Sequence, residues 1–524
     1  MAEYPLLIGG AWRAAKASKS FHAVNPATGE PLPGTYPISG WDDCDAALAA
    51  AAEAAIELRR MPPEAIAKFL TRFADRIEAG KAALVEQAHL ETALPTSPRL
   101  ADVELPRTTG QLRQAADAAV EGSWALPTID RKNQIRSCFE PIGPVVVFGP
   151  NNFPFAFSGV AGGDFAAAIA AGNPVIAKAH PLHPGTGRLL AEAAVGAIAD
   201  AGLPPATVQM IYKIDHQSGQ RLVSDPRVGA SAFTGSRTAG MALKSAADAA
   251  GKPIYLEMSS INPVVILPGA LAERGGKVAA DVASSCLMGG GQFCTNAGFV
   301  MLFAGSQTDQ FIDEVKTAFD AAQPPPLLSD GVAKGLAESV KTLRGAGADL
   351  LTSAGASTGA RYPNTLLRVT GKQFLAEPQK LQTEAFGSAS LCVIVRDVEE
   401  AESVLSHLEG NLTGCIYSDT QGGDETLYAR LAPALRRRVG RLLNDKMPTG
   451  VAVSPAMNHG GPFPATGHPG FTAVGIPASL RRFGMLCCYD NVRSHRLPAA
   501  LRDENPNGRM WRLIDGTMTQ DSCS

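Results

Sequence analysis

The sequence feature that most restricts the fold is a regular alternation of two kinds of segment between residues 142 and 257. Short apolar runs, rich in Val and Ile and bounded by Gly or Pro, predict buried strands. They lie at 141–150, 174–178, 208–212, 230–234 and 253–257. Segments with small and apolar residues at helical spacing separate them, at 163–171, 188–201, 217–223 and 238–250. This alternation predicts an α/β fold with a parallel, doubly wound sheet.

Polar residues stand where several of these predicted strands end. They are Asn151, Asn152, Lys178, Gly235, Ser236 and Glu257. Sheets of this kind bind their ligands beyond the carboxyl ends of the strands. We therefore expect these side chains to border a common ligand site.

The chain, with 524 residues, is too long for one ordinary domain. A second alternating region follows residue 264, with predicted helices at 276–286 and 309–321 and predicted strands at 299–303, 391–395 and 412–417. It predicts a second α/β lobe. Helices are expected before the first lobe, at 43–60, 63–80, 82–94 and 106–119, and a loop is expected at 345–360.

Composition excludes several classes of protein. The 47 basic residues are balanced by 50 acidic ones, which argues against a nucleic-acid-binding protein. No apolar run reaches the length of a membrane span, and the N-terminus lacks the pattern of a signal peptide. Nine scattered cysteines do not form a disulfide framework in a chain this long. We therefore expect a cytoplasmic protein with free thiols, bound to neither membrane nor nucleic acid.

Cys294 is the candidate nucleophile because it follows the glycine-rich stretch Gly289-Gly-Gly-Gln-Phe. Glycine permits unusual backbone angles and the close approach of a ligand, so a thiol on such a bend can be presented into a cleft. The alternative is a buried structural Cys, which is the commoner fate of a single Cys.

Glu257 and Asn152 are further candidates for a catalytic site. A carboxylate between apolar neighbours can act as a general base, although a paired surface Glu is the simpler interpretation. An Asn held in the Pro-flanked loop Gly149-Pro-Asn-Asn-Phe-Pro can donate its amide N–H to an oxyanion, although Asn is also common in ordinary turns.

A phosphate group could bind at Gly235 and Ser236, where free N–H groups open a predicted helix. The usual dinucleotide fingerprint Gly-x-Gly-x-x-Gly is absent after the first strand. His180 and His183 are three residues apart, but Pro181 prevents a regular helical face, so no metal site is predicted.

Seven segments in this order resemble the aldehyde dehydrogenase superfamily. They are Pro150-Asn-Asn-Phe-Pro, Ala177-Lys178, Phe233-Thr-Gly-Ser, Leu256-Glu257, Gly291-Gln-Phe-Cys294, Glu384-Ala-Phe386-Gly and Gly461-Pro-Phe-Pro. No single segment is specific for this superfamily, but the seven segments together, in the same order between residues 150 and 464, are specific for it. The resemblance implies two doubly wound α/β lobes, one for a cofactor and one for catalysis, with a small oligomerisation arm.

The resemblance also assigns roles to individual residues. It implies that Cys294 is the nucleophile, that Asn152 and the Cys294 backbone N–H bind the oxyanion, and that Glu257 activates the deacylating water. For a nicotinamide cofactor it implies contacts from Lys178 to the adenosine ribose and from Gly235 and Ser236 to the pyrophosphate. Glu384 would bind the nicotinamide ribose, and Phe386 would lie beside the nicotinamide.

The resemblance implies three units: 1–122 with 142–258 for the cofactor, 259–455 for catalysis, and 123–141 with 456–524 as oligomerisation arm and C-terminal extension. A homodimer or homotetramer is therefore expected.

One departure from the family pattern bears on the cofactor. Many NAD-dependent members carry Glu three residues after the lysine, where this chain has Pro181. Without that acid no like charge repels a 2′-phosphate, so NADP is expected, with NAD also accepted. Either His180 or Lys213 could meet the phosphate.

The stretches 178–187, 257–263 and 460–466 resemble one branch of the family, the 2,5-dioxovalerate (α-ketoglutarate semialdehyde) dehydrogenases and the related NADP-dependent fatty-aldehyde dehydrogenases. That branch implies a small aldehyde substrate, 2,5-dioxovalerate, oxidised to 2-oxoglutarate; the alternative is a medium- or long-chain aliphatic aldehyde. Arg107 and Arg113 are the candidates for binding the substrate carboxylate.

Two other classes remain to be weighed. A non-catalytic, cofactor-binding structural protein is disfavoured because Cys294, Glu257 and Asn152 are all present. A thiol esterase without redox chemistry is disfavoured because no His is expected to pair with Cys294, and because Lys178 and Glu384 would then have no purpose.

Overall fold

Two large sheets dominate the computed structural model, which describes residues 3–16, 19–353, 355 and 357–523. The first sheet has this strand order: Ile254–Glu257, Ala230–Thr234, Val145–Phe148, Val175–Lys178, Val208–Ile211, Leu6–Ile8 and Ala11–Arg13. The five strands predicted from the sequence are its parallel part, and the two N-terminal strands add an antiparallel edge. The prediction of a parallel, doubly wound α/β sheet is confirmed.

The second sheet is also mainly parallel. Its order is Asp349–Leu350, Thr365–Thr370, Ala389–Val395, Phe299–Phe303, Val264–Ile266, Asn411–Tyr417 and Val439–Asn444. Only the edge strand Asp349–Leu350 is antiparallel. The second α/β lobe is thus confirmed, but the loop predicted at 345–360 contains this edge strand; Ala354 and Ala356 lie outside the described residues.

Helices cover both sheets. They are Trp41–Leu58, Pro63–Ala79, Lys81–Thr92, the π-helix Thr96–Glu104, Leu105–Glu121, Gly163–Ala170, Pro184–Ala201, His216–Ser224, Arg237–Ala249, Pro268–Leu287, Ser306–Ala321, Asp330–Gly345, Gly371–Ala376, Pro378–Leu381, Val398–His407 and Glu425–Arg436. The helix predicted at 276–286 begins earlier, at Pro268, and a non-helical residue, Arg274, interrupts it. None of the helices in the described part of the chain is long and apolar enough to cross a membrane.

Two smaller sheets complete the fold. Lys213–Ile214, Tyr36–Ser39 and Ser20–Phe21 form one of them. The other, which we call the arm sheet, has the order Gly484–Asp490, Ile135–Pro141, Thr128–Asp130, Arg512–Ile514 and Thr517–Thr519. The C-terminal tail enters the arm sheet, and the fully buried guanidinium of Arg512 donates to the carbonyls of Arg502, Asp503, Glu504 and Asp521. These bonds join parts of the tail to one another, and Asn507 connects the tail to the body by donating to the Val120 carbonyl at 2.7 Å.

Candidate active site

An open groove of about 1070 Å³ runs between the two large sheets at the carboxyl ends of the strands. This volume is ample for an organic ligand. Eight of the ten site residues predicted from the sequence line it: Asn152, His180, Gly235, Ser236, Glu257, Cys294, Glu384 and Phe386. The second lobe adds Val332, Gly335, Leu336 and Ser339 from helix Asp330–Gly345. Asn152 and Phe386, which are 234 positions apart, are therefore brought to one cleft.

The two predicted lysines are not among the residues that line this groove. Lys178 ends the strand Val175–Lys178, and burial, with the positive charge of Lys213 as a second cause, lowers its pKa to about 8. Lys213 is exposed, with its Nζ 5.9 Å from the ring centroid of Phe21. An anion bound near Lys178 would favour its charged form.

The bend before Cys294 depends on glycine. Gly289, Gly290 and Gly291 have φ values of 57°, 67° and 68°, in the left-handed region. A Cβ on Gly291 would lie 2.0 Å from the carbonyl oxygen of Gly387, so no other residue fits there. The bend turns the chain at the end of helix Pro268–Leu287 and directs Cys294 into the groove.

Cys294, Glu257 and His459 form a compact cluster. The Nε2 atom of His459 lies 3.5 Å from the Cys294 Sγ and 3.0 Å from the Glu257 Oε1. Glu257 ends the strand Ile254–Glu257 and is only 1% exposed. Within the described ranges, its carboxylate contacts His459 and Cys294 and accepts no further hydrogen bond. A buried carboxylate with so few partners is costly, so we infer that it acts on a bound molecule.

The expectation that no His pairs with Cys294 is wrong. His459 is 165 residues away in the sequence and therefore gives no local pattern. The signal available in the sequence was the pair of glycines after the histidine, in Asn458-His-Gly-Gly-Pro, which predicts a loop. Loops often carry catalytic residues. In the structure both glycines are required, since a Cβ on Gly460 or Gly461 would lie 2.2 Å from a backbone oxygen.

Burial raises the pKa of the Cys294 thiol well above its ordinary value, and the negative charge of Glu257 raises it further. The guanidinium of Arg107 acts in the opposite direction. Because the thiolate is the nucleophile, the thiol must lose its proton as it attacks. His459 and Glu257 are the neighbouring groups that can take this proton.

Asn152 lies in the loop after the strand Val145–Phe148 and is 5% exposed. Its side-chain Nδ2 donates to the backbone carbonyl of Gln292 at 2.9 Å, and its backbone carbonyl accepts from the Arg99 Nη2 at 2.9 Å. An amide nitrogen carries two hydrogens, so one remains to donate to an oxyanion at Cys294.

The cofactor candidates from the sequence have well-defined partners. Ser236 caps helix Arg237–Ala249 through a bond from the Ala239 N–H, and Gly235 packs so close to the Phe233 ring that a Cβ would lie 2.8 Å from it. Glu384 accepts from the Ser260 N–H at 3.3 Å, and burial raises its pKa.

A metal ion could also be held by the Cys294 sulfur, the His459 Nε2 and a Glu257 oxygen, which lie within 4.8 Å of one another. The two histidines considered earlier do not belong to such a group within the described residues. His183 Nε2 contacts the Pro150 carbonyl, and His180 Nδ1 accepts from the Leu182 N–H. That the reaction needs no metal stays a prediction.

Replacement of His459 with Gln is expected to lower kcat by about 100-fold, since general acid–base groups typically contribute 10²–10⁴. The rate should also rise more steeply with pH, because bulk hydroxide must replace the lost base. Steady-state kinetics between pH 6 and 9 measure both effects. The matched control is His468→Gln, an exposed histidine at 5.2 Å from the Tyr255 ring. Equal rates and equal pH profiles in the two variants would remove His459 from proton transfer.

The chain is similar to known proteins in sequence and in fold. Residues 12–452 match the model of the aldehyde dehydrogenase family. The chain is 41% identical to alpha-ketoglutaric semialdehyde dehydrogenase 2 of Azospirillum brasilense, over 97% of this chain and 98% of the relative. It is 36% identical to alpha-ketoglutaric semialdehyde dehydrogenase of Acinetobacter baylyi, over the same shares. The fold matches a 1-pyrroline-5-carboxylate dehydrogenase from Thermus with bound NAD, with a TM-score of 0.80, 23% identity, and coverage of 93% of this chain and 92% of that one.

Proposed function

The chain belongs to the aldehyde dehydrogenase family, and on that premise we propose that it oxidises 2,5-dioxovalerate to 2-oxoglutarate with NADP. As a member of that family it is an NAD(P)-dependent oxidoreductase that acts on aldehydes. The observation that supports the choice of substrate is that two relatives, each aligned with 97% of this chain, are alpha-ketoglutaric semialdehyde dehydrogenases.

The first step is attack of the Cys294 sulfur on the aldehyde carbon. The S–H proton passes to His459 or Glu257, and the carbonyl oxygen becomes an oxyanion of a thiohemiacetal. The free N–H of Asn152 and the Cys294 backbone N–H stabilise this negative charge. The chemistry that the nicotinamide cofactor supplies when bound is acceptance of the hydride from the thiohemiacetal carbon.

Loss of that hydride leaves a thioester on Cys294. Glu257 then takes a proton from a water molecule, which attacks the thioester carbonyl. The bond from carbon to sulfur breaks, the carboxylate leaves, and the thiol regains a proton. The burial of Glu257 and the position of its carboxylate beside the sulfur support this role.

The residues of the groove fit a dinucleotide. We assign Lys178 to the adenosine ribose, Gly235 and Ser236 to the pyrophosphate at a helix N-terminus, and Glu384 with Phe386 to the nicotinamide riboside. His180 lines the groove near Lys178, and burial lowers its pKa. It is therefore better placed than the exposed Lys213 to border the adenosine end.

Replacement of Pro181 with Glu is expected to shift cofactor choice from NADP towards NAD by at least about tenfold in kcat/KM, since a carboxylate would repel the 2′-phosphate and accept from a ribose hydroxyl. Kinetics with both cofactors at saturating aldehyde measure this ratio. The control Pro181→Gln adds similar bulk without charge. An unchanged ratio in the Glu variant would contradict the absence of an acid as the basis for NADP use.

The domain boundaries stay as a proposal: 1–122 with 142–258 for the cofactor, 259–455 for catalysis, and 123–141 with 456–524 for the arm. All strands of the first sheet lie within the first unit, which supports it.

The arm sheet carries exposed apolar side chains, with Leu486 61% and Met485 49% exposed. Because such patches favour association, we propose that the arm joins subunits in a homodimer or homotetramer, which light scattering of the purified protein tests.

A substrate panel tests the proposed function. The purified protein is assayed with NADP and NAD against 2,5-dioxovalerate, 5-oxopentanoate, pentanal and a long-chain alkanal. The proposal predicts the highest kcat/KM for 2,5-dioxovalerate. A higher value for an alkanal would replace it with the aliphatic-aldehyde alternative, and no reduction of either cofactor would point to a non-catalytic protein.

A further inference from the structure

Arg107 is a largely buried cation with unused hydrogen-bond donors. It lies in the first turn of helix Leu105–Glu121, and its Nη1 donates to the carbonyl of Val451 at 2.9 Å. Its Nε and Nη2 atoms are buried and have no hydrogen-bond partner in the part of the chain that the structure describes. No carboxylate oxygen of those residues lies within salt-bridge distance of it, whereas most buried charges in proteins are paired.

Three other arginines, Arg99, Arg441 and Arg113, already have hydrogen-bond or ion-pair partners. Arg99 pairs with Glu104 and donates to the carbonyl of Asn152. Arg441 donates to the carbonyls of Pro448 and Gly450. Arg113, a candidate from the sequence, lies at the surface.

Arg113 forms ion pairs there, at 2.6 Å with Glu78 and at 3.0 Å with Asp75. Its guanidinium is therefore occupied away from the groove. Of the two arginines that the sequence offered for the substrate carboxylate, only Arg107 keeps free donors in a buried position.

Arg107 is connected to the catalytic cluster by a short chain of contacts. Its guanidinium carbon lies 5.1 Å from the ring centroid of Phe157, and that ring lies 5.7 Å from the ring of His459. The His459 Nε2 is 3.5 Å from the Cys294 sulfur. Phe157 belongs to an apolar cluster that also packs against Phe293, the residue before Cys294.

This apolar cluster reaches the chain beside Cys294 through Phe293, and the groove reaches Cys294 itself. The groove is lined by the cofactor candidates, and neither Arg107 nor Phe157 is among its lining residues. An aldehyde with its carbonyl at the sulfur and its chain directed away from the cofactor candidates, towards Phe157, would have its far end near Arg107.

We propose that Arg107 binds the carboxylate of a short ω-oxo acid while Cys294 attacks the aldehyde at the other end. The proposal rests on the proposed function and names the residue that gives it specificity. A guanidinium offers parallel N–H donors that match a carboxylate, and Nε with Nη2 is one such pair of donors. Burial of the cation costs free energy and lowers the pKa of Arg107 in the free protein. An anion bound there would compensate this cost.

The test compares two aldehydes that differ only in the distal group, 5-oxopentanoate and pentanal. Arg107→Met should lower kcat/KM for 5-oxopentanoate by about 100-fold or more, mostly through KM, because both donors to the carboxylate are lost. The value for pentanal should change by less than about threefold, since Met retains apolar bulk. Arg107→Lys should recover part of the lost kcat/KM for 5-oxopentanoate, because lysine keeps the positive charge but lacks the parallel N–H donors of the guanidinium. Arg113→Met is the control and should leave both values unchanged.

An equal loss for both aldehydes would overturn the proposal, since Arg107 would then act on the thiol through its charge. Unchanged values for both would overturn it as well. Thermal unfolding of each variant shows whether a loss of activity comes from misfolding. If Arg107→Met does not fold, the two aldehydes are compared in Arg107→Lys instead.

A second measurement separates this proposal from the proposed function. Glutarate should inhibit the oxidation of pentanal competitively in the unmodified protein, and this inhibition should weaken at least tenfold in Arg107→Met. That result would support the carboxylate site even if 2,5-dioxovalerate proved a poor substrate. Inhibition of equal strength in both proteins would refute the site, even if 2,5-dioxovalerate proved the best substrate.

Discussion

Replacement of Cys294 with Ala is expected to lower the turnover of every aldehyde by at least about 10⁴-fold, because loss of a covalent nucleophile removes the whole reaction path. The variant should still fold, since the side chain is small and lies at the open groove. It should still bind the cofactor, since the residues assigned to the dinucleotide are unchanged. Reduction of NADP at 340 nm measures turnover, and quenching of protein fluorescence measures cofactor binding.

The matched control for this prediction is Cys523→Ala, which removes a thiol near the end of the C-terminal tail. It should retain full activity. If Cys294→Ala kept more than a few per cent of the activity, another residue would be the nucleophile, and the roles given to Asn152, Glu257 and His459 would have to be reassigned.

Replacement of Glu257 with Gln is expected to separate the two halves of the reaction. One equivalent of NADPH per subunit should form rapidly, and later turnovers should be about 100-fold or more slower, because the base for thioester hydrolysis is lost. Pre-steady-state absorbance resolves the burst from the slow phase. The control Glu402→Gln removes a carboxylate that is ion-paired with Arg430 on the surface, and it should behave like the unmodified protein.

Glu257→Gln should slow hydrolysis of the thioester but should make the Cys294 thiol more reactive. The Glu257 charge raises the pKa of Cys294, so its removal lowers that pKa and increases the thiolate fraction at any pH below it. Alkylation of Cys294 by iodoacetamide at pH 8 should therefore be faster in Glu257→Gln. No burst together with slower alkylation would show that Glu257 acts before hydride transfer rather than after it.

The fold was predictable because its signals are local. The strands Ala230–Thr234 and Phe299–Phe303 begin and end at the predicted residues, since each is a short apolar run between polar or turn residues. The helix Asp330–Gly345 and the edge strand Asp349–Leu350 were not predicted. Their residues face partly to solvent, and tertiary contacts determine their conformation.

The site residues likewise fall into those with a local sequence signal and those without one. Cys294 and Glu257 could be predicted from a glycine bend and a strand end, which are features of the adjacent sequence. His459 and Arg107 could not be given their positions, because those depend on contacts between distant parts of the chain. The bond from Arg107 to Val451, for example, joins residues 344 positions apart. No pattern within a single segment reports which of two arginines will be buried without a partner.

The central claim is that the Cys294 sulfur becomes acylated during turnover. The most direct test is mass spectrometry of Glu257→Gln after mixing with NADP and 5-oxopentanoate, followed by peptide mapping. We expect a mass increase equal to the aldehyde minus two hydrogens, on the peptide that contains Cys294, and only when NADP is present. NADPH formation without this adduct, or with the acyl group on another residue, would contradict acylation of Cys294.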